Sequence, residues 1–121
     1  MIQLRTVIKP ADNSGAKHFN VIGITNKIGK YARIGDVVRC VVDGAEPNGA
    51  VADREKVKVL IVRTKKETKR SDGSYVRFDD NAGVAIDKQG LPMGTRVLGP
   101  IAREIKEKGY TKIASLAREV V

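Results

Sequence analysis

The chain offers little to an enzyme mechanism. His18 is its only histidine and Cys40 its only cysteine. One imidazole and one thiol cannot build a multi-histidine metal site or a Cys/His zinc cluster. A nucleophile and base pair made of His18 and Cys40 needs an accessible thiol. Cys40 instead sits in the apolar run Val37, Val38, Arg39, Cys40, Val41, Val42, the setting of a buried strand residue. Asp79 and Asp80 could hold a hydrated magnesium ion, but beside Asn81 they read more simply as a polar turn. Neither a Gly-x-Gly-x-x-Gly run nor a phosphate-loop motif occurs. No catalysis, cofactor or metal is expected.

The positive signal is the distribution of cations. From Arg63 to Arg77 the run RTKKETKRSDGSYVR carries six basic and two acidic residues, and it starts where an aliphatic strand ends. Asp72-Gly73 is a favoured two-residue hairpin turn. Arg63, Lys65, Lys66, Lys69, Arg70 and Arg77 are therefore expected to decorate a ribbon that reaches an RNA groove, the competing reading being lysines that merely blunt edge pairing. A second cluster, Lys27, Lys30 and Arg33 with Tyr31, falls in an expected loop. By contrast Cys40 to Asp53 has no Lys or Arg and holds Asp43, Glu46 and Asp53. Charge segregated in this way is not needed for solubility and favours binding.

The whole chain points the same way. It has 121 residues, the size of one domain, with 23 Lys plus Arg against 14 Asp plus Glu and a net charge of +9. That balance favours a polyanionic partner, chiefly nucleic acid. An anionic membrane is the weaker partner, because purely aliphatic runs such as Val59 to Val62 are only about four residues long, far short of a membrane span. The N-terminal segment lacks a secretory pattern, so the protein is expected to stay where it is made. Five aromatics and no tryptophan fit phosphate and shape contacts to folded RNA better than base stacking on single strands.

These cations need a scaffold, and the spacing of β-branched runs describes one. Strands are expected near Thr6 to Ile8, Phe19 to Thr25, Asp36 to Val42, Val57 to Arg63, Tyr75 to Phe78 and Gly83 to Ile86, separated by clusters of turn-forming residues. So many short strands are best protected in a small closed barrel. After Pro100, Ile101, Ala102 and Ile105 predict a short helix ended by Gly109. Thr111 is expected to cap a second, with Ile113, Leu116, Ala117 and Val120 on one face. The fold class is mainly β, in a single domain over 1–121, with residues from about 100 onward forming a C-terminal helical region.

Several segments together resemble a known family, the universal large-subunit ribosomal protein L-fourteen. They are Ala11-Asp-Asn-Ser-Gly-Ala16, Tyr31-Ala-Arg-Ile-Gly-Asp36, Ile61-Val-Arg-Thr-Lys-Lys66, Asp72-Gly-Ser-Tyr-Val-Arg-Phe-Asp79 with Asn81-Ala82, Gly94-Thr-Arg96, Gly99-Pro100 and Lys112-Ile-Ala-Ser-Leu-Ala117. The length and the Met-Ile-Gln start look like the bacterial or plastid form. The resemblance implies a five-stranded β-barrel with a projecting β-ribbon and short C-terminal helices. It further implies a structural constituent of the large ribosomal subunit, in the cytoplasm or a plastid. The implied partners are large-subunit ribosomal RNA, small-subunit ribosomal RNA at intersubunit bridges, ribosomal protein L-nineteen and a ribosome silencing factor. By motif, the silencing factor would dock on Thr95, Arg96, Lys112 and Ser115.

Two positions depart from the family pattern. Gly49 to Asp53 lacks the lysines usual after the Pro-x-Gly turn, so that RNA contact is not carried over to Ala50 to Asp53. Arg118 replaces the proline usual after Ser-Leu-Ala and is expected to prolong the last helix. Charge alone would also suit a freestanding nucleic-acid chaperone or DNA-binding barrel, and the C-terminal helices alone would suit a protein-docking adaptor.

Overall fold

The computed structural model describes residues 2–24 and 31–121. Five strands close into a barrel in the order β1 (Val7–Pro10), β2 (Ala16–Ile24), β3 (Val37–Ala45), β4 (Lys56–Arg63) and β7 (Ala82–Ile86). All neighbours are antiparallel except β1 and β7, which close the ring in parallel, with Lys9 opposite Ala82 and Pro10 opposite Gly83. Between β4 and β7 the chain forms a two-stranded ribbon of β5 (Thr68–Lys69) and β6 (Tyr75–Val76). Helices α1 (Glu104–Glu107) and α2 (Thr111–Leu116) follow the barrel. No helix among the described residues is long and apolar enough to cross a membrane.

Two cores explain the two kinds of strand. Phe19, Val21, Val38, Cys40, Val42, Val57, Val59 and Ile61 fill the barrel interior. The exposed outward residues of β2 and β3 give those strands their alternation. A second core lies outside the barrel wall, where Leu60, Val62, Val84 and Ile86 meet Ile101, Ile105 and Ile113 from the helical segment. β7 is thus buried along its whole length and β4 over its last five residues, which is why both read as continuous apolar runs.

The C-terminal segment departs from the expected pattern. Thr111 makes no side-chain cap and is itself the first residue of α2. The helix stops at Leu116, because Ala117 is extended (ψ 139°). From there the chain runs alongside the segment before α1. Ile101 N–H donates to the Glu119 carbonyl at 3.0 Å and Val121 N–H to the Ile101 carbonyl at 2.9 Å. Arg118 therefore lies in an extended tail rather than a longer helix, and Val120 is exposed instead of continuing the helix's apolar face. Pairing with residues 101 to 103 satisfies the tail's backbone, which a further helical turn would have to satisfy internally.

Neither candidate for catalysis survives the fold. Cys40 is fully buried in the barrel, and desolvation pushes its thiol up to about 12. His18 is exposed on the outer face opposite Asp43, so the barrel wall separates the two. Asp80 turns both carboxylate oxygens to Arg63, and Asn81 Oδ1 accepts the Lys65 N–H at 2.9 Å. The Asp-Asp-Asn segment is a structural polar turn.

Candidate nucleic-acid interface

The ribbon's turn is tighter in conception than in fact. Arg70 N–H donates to the Ser74 carbonyl at 2.8 Å and Gly73 N–H to the Arg70 carbonyl at 3.0 Å. Gly73 has φ +90° while Asp72 stays at negative φ. A type I turn followed by a left-handed glycine gives a three-residue loop rather than the two-residue turn read from Asp72-Gly73. Asp72 Oδ1 holds the loop by accepting from the Ser74 hydroxyl at 2.6 Å and the Ser74 N–H at 2.9 Å. These bonds hold the Asp72 carboxyl below the usual carboxylate range.

Two ribbon cations expected to face RNA are used inside the fold. The Arg63 side chain is only 10% exposed. Its Nε donates to Asp80 Oδ1 at 2.9 Å, and its Nη1 donates to the carbonyls of Leu98 and Pro100 at 2.8 and 3.1 Å. The cause is a bulge: the β4 to β7 register slips between Ile61 and Arg63, and such a slip re-aims a side chain. Arg70 is 12% exposed and sits 2.7 Å from Glu104 Oε1 as an ion pair without hydrogen-bond alignment. Its Nη2 donates to the Val121 carbonyl at 2.6 Å. With Arg103 reaching Asp72 at 3.4 Å, these contacts strap the ribbon's turn to the C-terminal segment.

What remains exposed forms a compact basic surface. Lys65, Lys66, Lys69 and Arg77 are exposed on and beside the ribbon. Arg33, thirty residues away in sequence, joins them: it lines one depression of about 250 Å³ with Thr64, Lys66, Lys69 and Tyr75. Its loop is pinned to β4, since Gly35 N–H donates to the Ile61 carbonyl at 2.8 Å and Asp36 Oδ2 accepts the Arg33 N–H at 2.7 Å. Lys66 pairs with Glu67 at 3.1 Å. That pair is solvent-exposed and holds the lysine only weakly. Tyr75 lines the depression, and Tyr75 and Tyr31 are both exposed. Lys27 and Lys30 lie outside the described residues.

The second expected site is also assembled by long-range contacts. Thr95, Arg96, Lys112 and Ser115 are all exposed. Thr95 and Lys112 line one shallow depression with Leu91, Pro92 and Leu116. Asn13 fixes its rim: Oδ1 accepts the N–H groups of Thr95 and Arg96 at 2.8 Å each, and Nδ2 donates to Thr95 Oγ1 at 2.7 Å. In the sequence Asn13 is one of the turn formers Asp12-Asn13-Ser14-Gly15 and gives no sign of this role. Glu104 and Arg103 likewise carry no local mark as anchors of the ribbon, because a surface charge does not name its partner.

Comparison with known proteins accounts for this arrangement. The family described as Ribosomal protein L14p/L23e matches residues 1–121. The chain is 56% identical over 121 residues to the large ribosomal subunit protein uL14 of Aquifex aeolicus and 51% identical to that of a Hydrogenobaculum species, with all of both chains covered in each case. It is 54% identical to the uL14 of Petrotoga mobilis over 99% of each chain. The match over residues 1–121 and end-to-end identity above one half place this chain in the ribosomal protein L14p/L23e family, as a structural component of the large subunit of the cytoplasmic ribosome and not an enzyme.

Proposed function

We propose that Arg33, Lys65, Lys66, Lys69 and Arg77 hold phosphates of folded large-subunit ribosomal RNA. The observation that carries this reading is the meeting of Arg33 with Lys66 and Lys69 around one open depression on a rigidly anchored ribbon. Arg63 and Arg70 act differently: they fix the ribbon's root and turn so that the free cations are presented without a large ordering cost. The resemblance adds contacts with small-subunit RNA at intersubunit bridges and with ribosomal protein L-nineteen. Neutralising Arg33, Lys65, Lys66 and Lys69 to glutamine is expected to flatten the slope of log affinity against log salt by about 3 for large-subunit RNA. An unchanged slope would show that these residues are merely solvated.

The C-terminal face supports a second, protein-facing role, docking of a ribosome silencing factor on Thr95, Arg96, Lys112 and Ser115. Its support is the bracing of residues 95 and 96 by Asn13 beside Lys112, which presents backbone and side chains in one rigid rim. Lys112→Glu is expected to lower affinity for a purified silencing factor at least tenfold while leaving the RNA salt slope in place. Equal binding by the variant and the parent would remove this face from the contact.

A further inference from the structure

We propose that the outer barrel face around Arg39, Lys56, Lys58 and Lys88 is a second contact for the phosphate backbone of folded RNA, separate from the ribbon. The proposal rests on the ribosomal reading above and extends it to a face that the runs of charge in the sequence do not mark.

Arg39 and Lys58 are direct cross-strand partners in the β3 to β4 ladder, and both are exposed. Like charges directly opposed on a sheet face repel and destabilise the pair. Lys56 lies on the same face two residues before Lys58. Lys88 lies two residues after Ile86, the partner of Lys58 on its other side. All four cations line one depression. Strand spacings of about 4.8 Å across and about 6.6 Å along put Arg39, Lys56 and Lys58 within roughly one Debye length, so their fields add. None of the four side chains makes an ion pair or hydrogen bond among the described residues. The rim carboxylates are turned into their own loops: Glu55 accepts the Ala52 N–H at 2.8 Å, and Asp87 accepts those of Gln89 and Leu91 at 2.9 and 3.0 Å.

The usual structural reason for lysines on strands is protection of a sheet edge. It does not apply here, because β3 and β4 are paired on both sides in a closed barrel. Bound phosphates would relieve the repulsion that the bare fold retains. The neighbouring depression shared by Lys58 and Lys88 ends the track, since its Lys108 is paired with Asp36 at 3.5 Å. Four unpaired cations spread over two strands and the loop after a third suit a line of phosphates better than a compact acidic patch on a protein. It is independent of the ribbon: Lys58 and Arg63 are five residues apart on β4, about 17 Å, with outward-facing Leu60 and Val62 covered by the helices between them. That exceeds the Debye length at ordinary salt.

The test compares the full-length protein with a face variant (Arg39→Gln, Lys56→Gln, Lys58→Gln, Lys88→Gln) and with the ribbon variant above. Each is titrated with large-subunit ribosomal RNA between about 50 and 200 mM salt, with hydroxyl-radical footprinting of the RNA backbone. The face variant is expected to flatten the slope by about 3 to 4 and to erase one footprint while leaving the ribbon's footprint intact. Its melting temperature should equal or exceed the parent's, since cross-strand repulsion is removed. If the fourfold change impairs folding, Lys58→Gln alone should flatten the slope by about 0.9. An unchanged slope and footprint in the face variant, with the ribbon variant still flattened, overturns this proposal and leaves the ribbon reading standing, as would be seen if the face served an acidic protein. Flattening by the face variant alone supports this site and overturns the ribbon's. No effect of either variant overturns both.

Discussion

Arg63→Ala is expected to lower the stability of the fold by about 3 kcal/mol, the size expected when one partner of a largely buried ion pair is removed. For a domain of this length that is a fall of about 12 °C in melting temperature. The loss has two parts. Asp80, whose side chain is 27% exposed, keeps its charge without its cation. The Leu98 and Pro100 carbonyls lose the Nη1 donor that ties the 98–100 turn to the end of β4. Arg63→Lys should recover only part of the stability, because one ammonium cannot present the guanidinium's separate donors to a carboxylate and two carbonyls together. Lys65→Ala, two residues away and exposed, should change stability by no more than about 0.5 kcal/mol. Urea unfolding of the three variants checks the set. A loss below about 1 kcal/mol for Arg63→Ala would mean that this residue is free to bind a partner after all.

Gly83→Ala is the second large effect, at about 1 to 3 kcal/mol. Gly83 sits where the barrel closes, opposite Ile61 on β4 and Pro10 on β1. A Cβ at this position would overlap Val59 Cγ1 and lie 3.0 Å from the Leu60 carbonyl oxygen and 3.5 Å from Ile8 Cγ2. The space is already filled by the two neighbours, both fully buried. Valine cannot step aside, since its branched side chain has few rotamers on a strand. Adding Val59→Ala should therefore return part of the lost stability, a coupling of about 0.5 to 3 kcal/mol in a double-mutant cycle. Strictly additive losses would show that backbone strain, not the Val59 contact, sets the cost. Weakening this closure should also loosen Asn81 and Ala82, and with them the ribbon's root, whose Lys65 N–H is held by Asn81.

The strands were legible because periodicity is a local property. β2 and β3 alternate because only one face is covered, and the β4 and β7 runs are continuous where the helices cover the second face. The short strands and the short helices are read in this way, whereas the resemblance to the family rests on its motif segments. Where the structure departs from the local pattern, a long-range contact overrides it. Helical spacing carried the second helix to Val120, but pairing with Ile101 drew the tail into an extended course. Asp72-Gly73 suggested a two-residue turn, but the Arg70 to Ser74 pairing set a three-residue loop.

The candidate site divides along the same line. The sequence by itself determined that the protein carries a segregated positive charge, that one histidine and one cysteine cannot build a multi-histidine or Cys/His metal site, and that a basic run follows an aliphatic run. Only the tertiary structure decided which cations are available. Arg63 and Lys65 look alike in a charged run, yet one is committed to Asp80, Leu98 and Pro100 and the other is exposed. Arg33 joins Lys66 and Lys69, and Arg39 faces Lys58, across intervals that no spacing rule connects. The physical reason is that hydrophobic periodicity is written along the chain, whereas the fate of a charge depends on the partner that folding brings beside it.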